Sequence, residues 1–121
     1  MHAFVVEDDP DFRELVRDVL ERAGWSVDAA EDGFAALSQI RRVIPDLILL
    51  DLRIPNLDGA GVLSLLRSTE VGRRIPVLVM TGGGVDDEVR DLASEVLVKP
   101  FARADLLRAV QRLTAQQPPA R

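Results

Sequence analysis

The sequence predicts an α/β fold, a five-stranded parallel sheet with helices on both faces, and three observations lead there. Five short apolar runs alternate with five segments whose apolar residues recur at steps of three and four. Two of the runs, around residues 47–50 and 75–80, are apolar almost throughout instead of alternating, as in strands covered on both faces. Acidic, hydroxyl and amino side chains stand at the downstream ends of the runs, where open α/β sheets place their sites.

The elements follow in order. Residues 3–6 form the first strand, and Glu7-Asp8-Asp9-Pro10 ends it. Phe12, Leu15, Val16, Val19, Leu20 and Ala23 then lie on one face of a helix. Asp9 caps that helix, Pro10 suits its first turn, and Gly24 sits where the C-terminus wants a left-handed residue. Residues 25–30 read as the second strand. Asp32-Gly33 turns into a second helix carrying Phe34, Leu37, Ile40 and Ile44, and Pro45-Asp46 opens a third strand ending in Asp51. A third helix starts near Asp58 and carries Val62, Leu65 and Leu66. Residues 75–80 form the fourth strand, 85–94 a weaker and shorter helix, and 96–98 the fifth strand. Leu106, Leu107, Val110 and Leu113 mark the last helix. Residues 1–115 are thus one domain, and the polar, proline-bearing residues 116–121 are a disordered tail or the start of a linker.

Composition narrows the function. The chain has 121 residues, enough for one core, and a net charge of −5. An acidic domain does not hold nucleic acid through its overall field, and Arg41-Arg42 and Arg73-Arg74 are too short to be basic patches. No apolar run approaches the roughly 20 residues that span a bilayer, and the first residues lack a signal-peptide pattern. There is no cysteine, hence no disulfide and no thiolate metal site. These features suit a cytoplasmic protein with no direct nucleic-acid or membrane partner.

Chemistry collects at four strand ends: Glu7-Asp8-Asp9, Asp51, Thr81 before three glycines, and Lys99-Pro100. Gathered carboxylates repel unless a cation joins them. Oxygen-only ligands select a hard ion, with Mg²⁺ the natural choice and Mn²⁺ a substitute. A nucleophilic Asp51, an ion, a lysine and a hydroxyl are what phosphoryl transfer requires. Singly, each has a blander reading: Asp8 and Asp9 as helix caps, Asp51 as a turn residue, Thr81 as loop punctuation, Lys99 as a surface lysine. Their joint placement favours the chemical one.

The stretches Val5-Val6-Glu7-Asp8-Asp9-Pro10-Asp11, Pro45-Asp46-Leu47-Ile48-Leu49-Leu50-Asp51 through Asp58-Gly59, Pro76-Val77-Leu78-Val79-Met80-Thr81-Gly82 and Val98-Lys99-Pro100-Phe101 carry a resemblance. Over essentially its whole length the chain resembles the receiver domains of bacterial two-component response regulators. The resemblance implies a flavodoxin-like sheet of order 2-1-3-4-5. It implies Asp51 as phosphoacceptor, Thr81 and Lys99 engaging the phosphoryl group, and a metal site of Glu7, Asp8, Asp51 and the Arg53 backbone carbonyl. Asp8 would touch the ion, Glu7 would act through water, and Asp9 would be a helix cap. A cis Lys99-Pro100 peptide would aim the lysine. The implied donor is a phosphohistidine on a sensor histidine kinase or a histidine phosphotransfer protein, with an output domain or target protein downstream. Such a domain catalyses only its own phosphorylation and dephosphorylation.

Three departures stand out. Thr81 and Lys99 are 18 positions apart, about four fewer than is typical and roughly one helical turn. The fourth helix should therefore be short, mobile or displaced. Val96 occupies the position where the family usually has an aromatic, and the chain has no tyrosine. The usual coupling of a threonine shift to a ring swing is thus absent, while Phe101 is expected to pack. Gly82, Gly83 and Gly84 leave one side of the site sparsely covered, and phosphorylation or metal binding is expected to order that loop. Two rivals remain. A haloacid-dehalogenase-like phosphatase would need a second aspartate where Arg53 stands. A phosphate-independent interaction module would not need the acidic pair, Asp51, Thr81 and Lys99.

Overall fold

In a computed structural model of the chain, the described residues are 1–115; the expected tail, residues 116–121, lies outside them. The elements are β1 (His2–Val6), α1 (Pro10–Arg22), β2 (Ser26–Ala30), α2 (Gly33–Arg42), β3 (Leu47–Asp51), α3 (Gly59–Arg67), the 3₁₀ turn Gly72–Arg74, β4 (Val77–Thr81), α4 (Asp87–Leu92), β5 (Glu95–Val98) and α5 (Arg103–Thr114). All strand pairs are parallel, in the order β2-β1-β3-β4-β5.

Local chemistry explains the helix starts. Asp9 accepts from the Asp11 and Phe12 amides, and Pro10 follows it in the first turn of α1. Asp32, Asp58 and Asp86 cap α2, α3 and α4 in the same way. Gly24 ends α1 with φ +96°, as its position suggests.

The central strands β3 and β4 are buried at every residue. Their side chains alternate between two cores. Phe4, Val6, Ile48, Leu50, Val77 and Val79 meet α2, α3 and α4 on one face. Ala3, Val5, Leu47, Leu49, Leu78 and Met80 meet α1 and α5 on the other. Each large side chain so buried contributes about 1.5–3 kcal/mol. The strands thereby hold their C-terminal ends, and the site, in fixed register.

Several helical positions differ from expectation. Phe34 and Leu65 are 64% and 48% exposed. On α2 the sheet-facing stripe is Gly33, Ala36 and Ile40, one residue out of step with Phe34. A Cβ on Gly33 would lie 2.2 Å from the Leu57 carbonyl oxygen, so this close approach sets the rotation of α2. On α3 the stripe is Gly59, Val62, Leu63 and Leu66, which leaves Leu65 on its flank. Ile44 lies beyond the end of α2 and is exposed. The fourth helix is short, as expected, but spans only Asp87–Leu92. Ser94 has already left it: its amide donates to the Val77 carbonyl and its Oγ accepts from the Val77 amide. The fourth strand begins after Pro76, which has no amide to donate to a ladder.

Candidate functional site

The carboxyl ends of β1, β3, β4 and β5 converge. Val6↔Leu50, Asp51↔Met80 and Thr81↔Val98 are register partners, so the residues that follow or end these strands share one edge. Glu7 continues the ladder beyond β1, its amide donating to the Ala30 carbonyl at 3.0 Å. Its backbone carbonyl accepts from Arg13 Nη1 at 2.9 Å, and its Oε2 from the Asp9 amide at 3.2 Å. Glu7, Asp51 and Thr81 are all buried, whereas Asp8 is exposed.

Lys99 bridges the two buried carboxylates. Its Nζ donates to Asp51 Oδ2 at 2.9 Å and to Glu7 Oε1 at 3.1 Å. The other Asp51 oxygen, Oδ1, accepts from the Arg53 amide at 2.9 Å. Burial, and next the neighbouring Asp51 carboxyl, push Glu7 up to about 7 against the opposing pull of Lys99. Burial alone would lower Lys99, but its hydrogen bonds to Asp51 and Glu7 outweigh it and leave the ammonium above the usual lysine range. The Lys99-Pro100 peptide is cis.

One carboxylate oxygen from each of Glu7, Asp8 and Asp51 lies within 4.8 Å of the others. Three hard oxygen donors at such mutual distances fit a small divalent cation. Thr81 is brought to the same edge, its carbonyl accepting from the Lys99 amide at 2.7 Å. Its hydroxyl, however, is engaged by its own loop: Oγ1 accepts from the Gly83 amide at 3.2 Å and lies 3.3 Å from the Gly83 carbonyl. A Cβ on Gly83 would lie 3.5 Å from Arg53 Nη2, which places the Arg53 guanidinium over the glycine side of the site.

Sequence reasoning missed two neighbours. Phe12, read only as a core residue of the first helix, has Lys99 Nζ over its ring. Arg13 reaches back to Glu7. Both lie in the first turn of α1, the span from which a side chain reaches the preceding strand end.

Comparisons with known proteins point to one family. The family model described as "Response regulator receiver domain" matches residues 3–111. The response regulator MprA of Mycobacterium leprae is 39% identical over 98% of this chain and 53% of its own length. The transcription factor SKN7 of Candida albicans is 37% identical over 87% of this chain and 19% of its own length. The chain therefore spans about half the length of the MprA relatives that it matches. Among solved structures, the receiver domain of sensor histidine kinase PA1611 from Pseudomonas aeruginosa has magnesium coordinated in its active-site cleft. It is 31% identical, with a TM-score of 0.86, over 95% of this chain and 98% of its own. The chemotaxis protein CheY4 of Vibrio cholerae is 28% identical, also with a TM-score of 0.86, over 93% of this chain and 97% of its own. No helix among the described residues is long and apolar enough to cross a membrane. The sheet order, the acidic edge and the match over residues 3–111 together place this chain in the family of response-regulator receiver domains of two-component systems.

Proposed function

We propose that this domain accepts a phosphoryl group on Asp51 from a phosphohistidine of a sensor histidine kinase or a histidine phosphotransfer protein. The observation that carries the reading is the buried Asp51 carboxylate, held by Lys99 on one oxygen and by the Arg53 amide on the other, beside Glu7 and Asp8. Asp51 then presents a carboxylate oxygen at a fixed angle. That oxygen attacks phosphorus, the phosphorus–nitrogen bond breaks, and its electron pair leaves on the imidazole nitrogen.

Glu7, Asp8, Asp51 and the Arg53 carbonyl would hold Mg²⁺, or Mn²⁺ in its place; when bound, the ion neutralises charge on the phosphoryl oxygens. Lys99 is placed to take a second phosphoryl oxygen. Thr81 can take a third once its hydroxyl leaves the Gly83 loop. This is positioning and charge stabilisation, the protein's share of phosphoryl transfer. The domain acts on no other substrate, and an output domain or target protein receives the change. A phosphate-independent interaction module is the second reading, and the six-residue α4 with Val96 in β5 favours it.

Intact-protein mass spectrometry after incubation with Mg²⁺ and acetyl phosphate tests this. The expected result is a gain of one phosphoryl mass, prevented by EDTA and absent in Asp51→Asn. No gain from acetyl phosphate or from a phosphohistidine donor would hand the reading to the interaction module.

A further inference from the structure

Lys99 is the only lysine in the chain; every other cationic side chain of fixed charge is an arginine. Its four-carbon stem leaves the ammonium free to wander unless something fixes it. Two partners are the Asp51 and Glu7 carboxylates. The third is a ring: Nζ lies 4.2 Å from the centroid of Phe12, inside the range of about 6 Å over which a cation is attracted to an aromatic face.

That ring is itself held. Phe12 lies in the first turn of α1, and its amide donates to Asp9 Oδ1, the cap of the helix, at 3.4 Å. Phe101 meets it edge to face, with centroids 5.6 Å apart and planes at 73°. Both rings are partly buried against the α1–α5 core. The first turn of α1 and the chain beyond β5 are thus joined through an aromatic pair that ends on the lysine.

We infer that Phe12 is a positioning residue for Lys99, its ring face fixing the ammonium at the phosphoryl-acceptor site. The inference rests on the phosphoacceptor reading and deepens it. Glu7 and Asp51 are the carboxylates that a cation and a phosphoryl group draw on, so the hydrogen bonds they give Lys99 are open to reassignment. The ring bears no formal charge, ligates no metal and is not a reactant. It is the Lys99 partner that the site's own chemistry leaves in place. Since catalysis here is placement, a partner that holds the ammonium throughout acts on rate and not on donor binding.

The sole lysine makes the test direct. Protein labelled with ¹³C-lysine gives one set of lysine side-chain signals. Its ε-methylene protons should lie upfield of free lysine in the wild type. They should return to the ordinary position in Phe12→Leu, move upfield again in Phe12→Tyr, and stay upfield when Mg²⁺ and beryllofluoride are added. With acetyl phosphate and Mg²⁺, Phe12→Leu should be phosphorylated roughly three- to tenfold more slowly, at an unchanged half-saturating donor concentration, and Phe12→Tyr should recover most of the rate. Thermal melts check that both variants fold. An ordinary lysine shift in the wild type, loss of the upfield shift on loading, or a folded Phe12→Leu at the wild-type rate would each overturn the inference. If the wild type itself takes no phosphoryl group, the functional reading falls and the inference with it. That outcome differs from a loss confined to the leucine variant.

Discussion

The two walls of the site are built differently. On the β1–β3–β5 side the charges are locked to one another. Lys99 joins Glu7 to Asp51, and the Arg53 amide holds the second Asp51 oxygen. Even the chain leaving that side is fixed in place. A Cβ on Gly59 would stand 2.4 Å from the Leu52 Cα, so α3 starts hard against the segment after Asp51. On the β4–α4 side, the Thr81 hydroxyl bonds only its own loop, three glycines follow, and α4 is six residues long. The difference teaches which half of the chemistry is preorganised. On the proposed phosphoacceptor role, charge neutralisation and the nucleophile are in place, whereas the hydroxyl and the surface beyond it must still be recruited.

The open wall does have an anchor at its far end, and removing it should give the largest effect. Arg67 closes α3 and spreads its guanidinium over four acceptors. Nε donates to Leu92 O at 2.8 Å, Nη1 to Gly72 O and Ile75 O at 2.7 Å each, and Nη2 to Ser94 Oγ at 3.2 Å. Burial lowers its pKa, yet it stays a cation. In effect one arginine ties α3, the 3₁₀ turn, the approach to β4 and the end of α4 together. Arg67→Met keeps the stem and strands the carbonyls. The expected cost is about 2–4 kcal/mol in urea unfolding followed by circular dichroism, since hydrogen bonds to a charged group contribute most and orphaned acceptors keep their desolvation cost. A change below about 0.5 kcal/mol would mean that α4 holds itself and the wall is less dependent than the geometry says.

Next in size is a pH effect on the locked wall. The Glu7 carboxyl, raised to about 7, carries its proton in the folded protein well above the usual carboxylate range. A raised folded pKa contributes stability that is full below the unfolded value of 4.5 and is lost as pH climbs through about 7. Cation binding needs the anion and expels that proton. Mg²⁺ affinity should therefore tighten between pH 6 and pH 8, by at most about tenfold per unit. Titration calorimetry in two buffers of different ionisation enthalpy reads both the affinity and the released proton. In Glu7→Gln the dependence over this window should vanish. If it persists there, the proton comes from another group and the locked wall has been assigned to the wrong carboxylate.

How far the sequence carried the reading depended on whether a residue's role was local. Asp9, Asp32 and Asp58 cap helices through amides two or three residues on, so short-range pattern marked all three helix starts, with Asp9 alone read as a cap. The β3 and β4 runs announced their burial on both faces, and the site residues appeared because the fold puts strand ends together. Helix rotation was less legible. The Gly33–Ala36–Ile40 stripe is set by backbone contact with Leu57, and apolarity alone favoured Phe34 instead. Arg67 and Phe12 were illegible for a related reason. A basic residue in a last helical turn and an aromatic on an apolar face each have ordinary explanations, and their partners lie up to 87 residues away, as between Phe12 and Lys99. The missing turn of α4 could be counted from the spacing, but not what replaced it.

The smallest expected effect probes whether the open wall is open by design. Gly59 is needed for space. By contrast, Gly82 and Gly84 have nothing within 4 Å of a built Cβ, and Gly83 meets only the end of the flexible Arg53 side chain. None of the three takes a left-handed φ. No steric demand accounts for three glycines in a row, which leaves mobility as their physical consequence. Alanine fits the backbone already present, so Gly82→Ala and Gly84→Ala should each stabilise the domain by about 0.4–1 kcal/mol, by restricting the unfolded chain. The same variants should narrow the gain in backbone hydrogen-exchange protection that Mg²⁺ and beryllofluoride bring to the loop and α4, because part of the ordering is then done beforehand. Stabilisation with an undiminished gain would separate the glycines from the ordering step. Destabilisation would show that the loop uses a conformation alanine resists, making it a built wall whose partner is Thr81 itself.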